Sequence, residues 1–317
     1  MKQAHLLVNL GTPNSPRYRD MFRYLAEFLG DKRVVDLPRW LWLPILYGVI
    51  LPFRSKKSGH TYAQIWDAKR GSPLRYHTKA LTKALATSNK LQTTGYAMRY
   101  GQPSITATLD KLVKQGHTKI RVTPLYPQYA GATVGTTLDV LANWLKRNLD
   151  VHLTVTEPWY SHPAYIDALA KSIRKATRRS PKDVGGPIQA VIVSFHGLPL
   201  RTVRCGDHYQ KHCETTFRLL KKKLPEVKLL LTYQSRFGKE EWLQPYFDKT
   251  VEGLPAKGFK NIAVIAPGFA VDCVETLEEL GLRGKESFMK NGGKTYTLIP
   301  CLNKAGASVL RALTPKT

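Results

Sequence analysis

Six short apolar runs, each closed by a turn rich in glycine, proline or aromatic residues, constrain this chain more than anything else in it. They read HLLVNLGTP, LQTTGYAMRYG, KIRVTPLYPQY, QAVIVSFHGLP, VKLLLTYQSRFG and NIAVIAPGF, and a helix-like stretch follows each. Buried strands that alternate with helical segments build α/β folds with parallel sheets flanked by helices. In such sheets ligands bind beyond the carboxyl ends of the strands. The punctuated turns are therefore where chemistry is expected.

The runs also pair up. Tyr96-x-x-Arg99-Tyr100-Gly101 is echoed by Tyr233-x-x-Arg236-Phe237-Gly238, KQGHTKIRVTPLYP by AKGFKNIAVIAPGF, and VNLGTP more loosely by SFHGLP. Three echoes in the same order point to tandem duplication of one α/β unit. For 317 residues, two domains of ~100–200 residues are also the plain expectation. The pattern predicts two similar Rossmann-like lobes: 1–156, 157–299, and a C-terminal helix over 300–317 that packs back on the first lobe.

The halves differ in length. Gly11 to Arg99 spans 88 residues and Gly197 to Arg236 only 39, so the first half carries about 49 extra residues in that interval. Within it lies RWLWLPILYGVILPFRSKK, whose residues Trp40 to Phe53 include no charge. A bilayer-spanning helix needs ~20 apolar residues, so this stretch is too short to cross. Pro44 and Pro52 each remove a backbone donor and argue against a buried core helix. The segment is expected to be an inserted lip near 36–57 that dips its apolar side into one leaflet while RSKKS meets anionic headgroups.

Charge supports an anionic partner or surface: 49 Lys+Arg stand against 23 Asp+Glu, a net charge of +26. The basic residues are scattered, as in RKATRRSPK and the KKK of 221–223, with no zinc-finger or RNP pattern, so no nucleic-acid partner is expected. Cys205, Cys213, Cys273 and Cys301 form no CxxC pair, and the amino terminus runs straight into a strand pattern without a secretory apolar region. Reduced thiols in a cytoplasmic protein are the expectation.

His196 follows the strand AVIVSF directly and should face the cleft from a strand end, although a lone histidine is more often structural. No Gly-x-Ser-x-Gly elbow surrounds Ser194, which disfavours a serine hydrolase, and no Gly-x-Gly-x-x-Gly or P-loop occurs. At ~100° per helical residue, Asp272, Glu275 and Glu279 of PGFAVDCVETLEELG fall within an arc of about 60°. Three carboxylates on one face can hold a divalent cation or pass protons; Asp272-x-x-Glu275 is equally a capping box, and both readings stand. Glu278 points elsewhere. Imidazole with carboxylates is a ligand set for Fe(II), Zn or Mn. Arg99, Tyr100, Tyr126, Phe237 and Trp242, at other strand ends, suit a large flat apolar ligand carrying carboxylates.

LLVNLGTP, FLGDKRVVDLPR, GSPL, PLYPQY, SFHGLP, GDHYQKHCETT, YQSRFG, EWLQPY and PGFAVDCVETLEEL, in this order over nearly the whole chain, resemble the signatures of ferrochelatases, most closely those of proteobacteria. The resemblance implies two chelatase-type lobes with a porphyrin cleft between them and a hydrophobic lip. It implies insertion of Fe(II), as substrate, into protoporphyrin IX with release of two protons, the last step of haem biosynthesis. By the same resemblance His196 and Glu275 are the catalytic and metal-contacting residues, with Asp272 and Glu279 as a supporting acidic face. The resemblance makes Leu10, Arg99, Tyr100, Leu198, Phe237 and Trp242 porphyrin-lining positions, and Tyr126 is expected to join them from its strand end.

A peripheral place on the inner membrane face follows from the lip. Position 273 is Cys where some members have His, and Lys69-Arg70-Gly71-Ser72-Pro73 replaces a glycine-rich approach to Ser-Pro. No cysteine-bearing C-terminal extension follows PCLN, so neither a [2Fe–2S] cluster nor another permanently bound cofactor is expected. Insertion into coproporphyrin III and a non-catalytic porphyrin or haem carrier are the alternatives.

Overall fold

From Ala4 to Asn9, β1 (Lys2–Gly11) is buried without interruption, and so is β5 (Ala190–His196) from Ala190 to Phe195. Continuous burial is what a parallel strand covered on both faces requires. A computed structural model describes residues 2–88, 93–178, 186–238 and 240–314. Arg179 to Lys182, the end of the run RKATRRSPK, and the chain end at 315–317 lie outside the described residues. The chain divides into two compact units, Met1–Glu157 and Pro158–Thr317.

In the first unit, β1 pairs with β2 (Thr93–Tyr100) on one side and β3 (His117–Pro124) on the other, and β3 pairs with β4 (His152–Val155). All pairs are parallel, in the order β2-β1-β3-β4. Its α-helices are α1 (Tyr18–Leu29), α2 (Arg39–Ile45), α3 (Leu51–Ala63), α4 (Pro73–Ser88), α5 (Ile105–Lys114) and α6 (Thr136–Leu145). Leu6, Val8, Ala97, Leu109, Val122 and Trp144 share one core, which places α5 and α6 against the sheet. Ser104 caps α5 by accepting from the Ala107 N–H, a contact worth ~1 kcal/mol.

The second unit repeats this plan. β5 lies between β6 (Leu229–Gln234) and β7 (Asn261–Ile265), and β8 (Thr295–Leu298) completes the parallel order β6-β5-β7-β8. Its α-helices are α7 (Pro163–Thr177), α8 (Leu200–Arg204), α9 (Tyr209–Lys223), α10 (Phe247–Gly253), α11 (Gly284–Lys290) and α12 (Gly306–Ala312). Helix α12, for which the sequence suggested the first lobe, packs on α7 inside the second unit.

The duplication extends to backbone detail. Gly116 and Gly258, which precede β3 and β7, have φ of +85° and +87°. Met98 N–H donates to the Pro103 carbonyl, and Tyr233 N–H donates to that of Pro245.

The uncharged segment is helical despite its prolines. Pro44 lies within α2, Pro52 occupies the tolerated first turn of α3, and Leu46–Ile50 between them forms a wide turn closed by an i→i+5 bond from the Leu51 N–H to the Leu46 carbonyl. Only one side packs: Trp42, Leu46 and Leu51 are buried, and the Trp42 Nε1–H donates to the Leu29 carbonyl at 2.8 Å. Trp40 (79% exposed) and Phe53 (76%) lead a row of exposed apolar side chains that includes Leu41, Tyr47 and Val49. Among the described residues, no helix is long and apolar enough to cross a membrane.

Candidate active site

β5 ends on His196, half-buried, where the strand gives way to Gly197. The imidazole Nδ1 lies 2.7 Å from the Gly197 carbonyl oxygen. A carbonyl can only accept, so Nδ1 carries the hydrogen and the neutral ring keeps its lone pair on Nε2. Gly197 has no room for a side chain: an added Cβ would lie 2.9 Å from the Gln234 carbonyl oxygen and 3.1 Å from the Trp242 ring. Trp242 thus sits directly beside the His196 turn, and its neighbour Leu243 donates its N–H to the Leu198 carbonyl. The Trp242 Nε1–H is buried without a hydrogen-bond acceptor among the described residues. Phe237, on the turn after β6, is 58% exposed.

The β5–β6 register sets His196 beside Gln234. Gln234 is buried; its Oε1 accepts from Ser194 Oγ at 3.0 Å, and its Nε2 donates to the Glu275 carbonyl at 3.1 Å and to Glu279 Oε2 at 3.4 Å. One amide therefore ties the strand that carries the imidazole to the helix that carries the acids. Glu279 also accepts from the Ser235 N–H at 2.8 Å and from the Ser235 hydroxyl. Ser235 holds φ of +64°, a conformation sparsely populated by non-glycine residues, and these bonds to Glu279 accompany it.

The acidic row differs from the sequence expectation. Glu275–Arg283 is π-helical, with the Gly284 N–H bonded to the Glu279 carbonyl, so the ~100° step does not apply. Asp272 precedes this helix and is buried, so it shares no helical face with Glu275 and Glu279. Its carboxylate accepts from Asn303 Nδ2 (2.6 Å), the Cys301 N–H (3.2 Å) and Thr276 Oγ1 (3.1 Å), bracketing the chain that returns from β8. The capping-box bonds are replaced as well, since the Cys273 N–H donates to Thr276 Oγ1. Glu278 is turned away, buried against Arg283 at 2.8 Å. Glu275 is half-buried beside Cys273; burial first, and then this carboxylate and Cys301, push the Cys273 thiol well above its usual value. Burial likewise raises the Cys213 and Cys301 thiols, whereas Cys205 is exposed.

In the first unit, two expected lining residues are committed to the protein itself. Tyr100 is fully buried, and its hydroxyl donates to Asp31 Oδ2 at 3.0 Å. Burial pushes its phenol above the usual range. Arg99 pairs with the same carboxylate and donates from Nε to the Thr136 carbonyl and hydroxyl at 3.1 and 3.0 Å. Tyr100 thus presents no surface to a ligand, and the Arg99 guanidinium is already engaged. Leu10, at the end of β1, and Tyr126, just beyond β3, are half-buried.

Gln234 and Ser235 escaped the sequence reading. Their signal was available: a glutamine closing an apolar strand, beside the Tyr-x-x-Arg echo, is a buried amide in want of partners. Among the described residues, no three His, Cys, Asp or Glu side chains converge as a metal-ligand group, so His196 and Glu275 do not form a closed metal cage.

The ferrochelatase family profile matches residues 2–314. The chain belongs to the ferrochelatase family. The ferrochelatase of Mesorhizobium japonicum is 47% identical, over 98% of this chain and 90% of its own length. That of Vibrio vulnificus is 45% identical, over 97% and 95%. Among solved structures, SirB from Bacillus subtilis with Fe3+ aligns with a TM-score of 0.54 at 15% identity, covering 99% of this chain and 96% of that one. The sirohydrochlorin chelatase SirB of subspecies spizizenii in complex with cobalt gives 0.58 at 12%, covering 98% and 94%. At such identities the likeness to SirB concerns the fold, which is that of two-lobed chelatases with parallel sheets.

Proposed function

We propose that this chain is a metal chelatase that inserts Fe(II) into protoporphyrin IX, making protohaem and releasing two protons. Membership of the ferrochelatase family supports the reaction class. The single observation that carries the residue assignment is the Gln234 clamp, which joins the His196 strand end to the acidic helix.

The chemistry follows from charge balance. A porphyrin core carries two N–H protons, and a divalent ion that replaces them leaves the core neutral. His196, with its lone pair on Nε2, accepts a pyrrole proton or contacts the incoming metal. Glu275 and Glu279, on the π-helix that Gln234 ties to this strand end, offer the proton a way out. Asp272, consumed by its brackets, holds the start of this segment in place. Trp242 and Phe237 give the macrocycle an apolar and aromatic wall.

The lip supports a further reading, peripheral attachment to the inner membrane face. Exposed Trp40, Tyr47, Val49 and Phe53 are followed by Lys56 and Lys57, a pattern for apolar insertion with cations at headgroup level. Such a lip would take a lipid-soluble porphyrin from the membrane surface, which favours protoporphyrin over the more acidic coproporphyrin.

The test is anaerobic incubation of the protein with Fe(II) and protoporphyrin IX, and separately with coproporphyrin III, following the Soret band. Turnover of protoporphyrin with little of coproporphyrin is expected. The reverse preference overturns the substrate assignment, and binding without metal insertion overturns the enzyme reading in favour of a carrier.

A further inference from the structure

The sheet of the first unit has two unlike faces. On one, Ala4, Leu6, Ile120 and Val122 lie in the core shared with α5 and α6. Strand alternation turns Gln3, Lys119, Arg121, His152 and Thr154 to the other. Helix α4 covers part of that second face: it packs on β2 and β1, and its Thr78 hydroxyl accepts from Asn9 Nδ2 at 3.0 Å. Over β3 and β4 the face is open. Lys119, His152 and Thr154 are exposed there and line a groove of about 500 Å³. We propose that this groove binds a phosphate group, free or as a small monoester, at a site distinct from the strand ends described above.

The placement of the charges carries the inference. β3 lies between β1 and β4, and a strand inside a parallel sheet is ordinarily apolar on both faces. Here it carries Lys119 and Arg121 on one face, two residues and therefore ~6.6 Å apart along the strand. Neither cation forms an ion pair among the described residues. Like charges so close repel, and an anion held between them reverses the sign of the interaction.

The register supplies the remaining partners. Lys119 pairs with Gln3 on β1 and with His152 on β4, and Arg121 pairs with Thr154. An amide, an imidazole and a hydroxyl thus stand one strand spacing, ~4.8 Å, from the two cations. A guanidinium offers phosphate oxygens a planar fork, and an ammonium adds a point charge. Asp150 also lines the groove and opposes the anion, so two cations face one carboxylate. The volume suits a small ligand. A second copy of this chain is a poor occupant, because each copy carries a net charge of +26.

The test is calorimetric titration of the full chain with inorganic phosphate and, separately, with glucose 6-phosphate, at fixed ionic strength. Binding should weaken by about tenfold or more in Lys119→Gln and in Arg121→Gln, the loss of one hydrogen bond to a charged group, and should tighten in Asp150→Asn. Lys285→Gln removes an equal charge from α11 in the second unit and should change nothing. The tighter of the two ligands names the form of phosphate the groove takes. Lys119 is exposed, so its variant folds and decides the matter even where Arg121→Gln disturbs the sheet. Equal weakening in Lys285→Gln, unchanged binding in Lys119→Gln, no tightening in Asp150→Asn, or no binding by the wild type at tens of millimolar phosphate overturns the proposal. Preference for a polyglutamate peptide over both phosphates overturns it too, in favour of an acidic polypeptide.

Discussion

The two units share a sheet order and a strand-end motif, yet they use the motif in opposite ways. In the first, Arg99 and Tyr100 close on Asp31, and the aromatic ring disappears into the protein. In the second, Arg236 pairs with Asp248 at the surface and stacks on Tyr246, while Phe237 remains largely exposed. The SFHG turn places His196 where VNLG places Leu10. One copy has been spent on its own cohesion, and the other keeps an imidazole and an aromatic at its strand ends, with two carboxylates on the neighbouring π-helix. A duplicated scaffold lets one strand end stabilise while its counterpart stays open for the chemistry proposed for it.

The contrast breaks first, and most visibly, at His196. His196→Ala should lower the rate of Fe(II) insertion by about 10²–10⁴-fold, the range for loss of a general acid–base group, in an anaerobic Soret assay. Leu10→Ala, at the matching position, leaves the proposed proton acceptor in place and should cost far less; an equal loss would erase the distinction between the copies. Next in size is stability. Arg99→Ala strands Asp31 in a mostly buried pair, with side-chain exposures of 15% and 11%, and should cost about 3–5 kcal/mol in urea unfolding. Arg236→Ala opens a pair exposed by 44% and 49% and should cost less than about 1 kcal/mol.

Acid should also act on the first unit through His5. Burial, and then Arg121, depress its pKa from 6.5 to about 4, and the ring is bonded to Thr123 Oγ1 at 2.7 Å. The unfolded chain therefore takes up the proton first as pH falls. The contribution of His5 to stability is complete above pH 6.5 and is lost progressively between 6.5 and about 4, up to about 3 kcal/mol in all. The urea midpoint of His5→Gln, measured over this window, should fall less steeply than that of the wild type; parallel slopes would refute the assignment. The smallest effect concerns the lip, an insertion in the first half alone. Trp40→Ser and Phe53→Ser should each weaken binding to anionic vesicles by about tenfold or more, given ~1.5–3 kcal/mol per inserted apolar side chain, without moving the urea midpoint.

The fold was legible in the sequence because parallel strands are apolar throughout and their turns are punctuated, so the six runs mark six of the eight strands among the described residues. The two short edge strands, β4 and β8, carry HLTV and TYTL, too little apolar length to stand out. The position of His196 at a strand end was readable from the apolar run before it. The acidic row was read with the wrong angular step, because the change from i→i+4 to i→i+5 bonding leaves no mark in residue pattern. Tyr100 misled because the same motif is buried in one copy and open in the other, a distinction set by Asp31, distant in sequence. Gln234 was overlooked because an amide acts through partners that only folding supplies.

Three of the four cysteines are buried with thiols held protonated, whereas Cys205 stands in the open, three residues before His208. Only a thiolate attacks a maleimide. A fluorophore added to the native protein at neutral pH should therefore attach with a stoichiometry of one, at Cys205, giving an optical reporter at the end of α8 without any engineered residue. Excess reagent under denaturing conditions should raise the count to four.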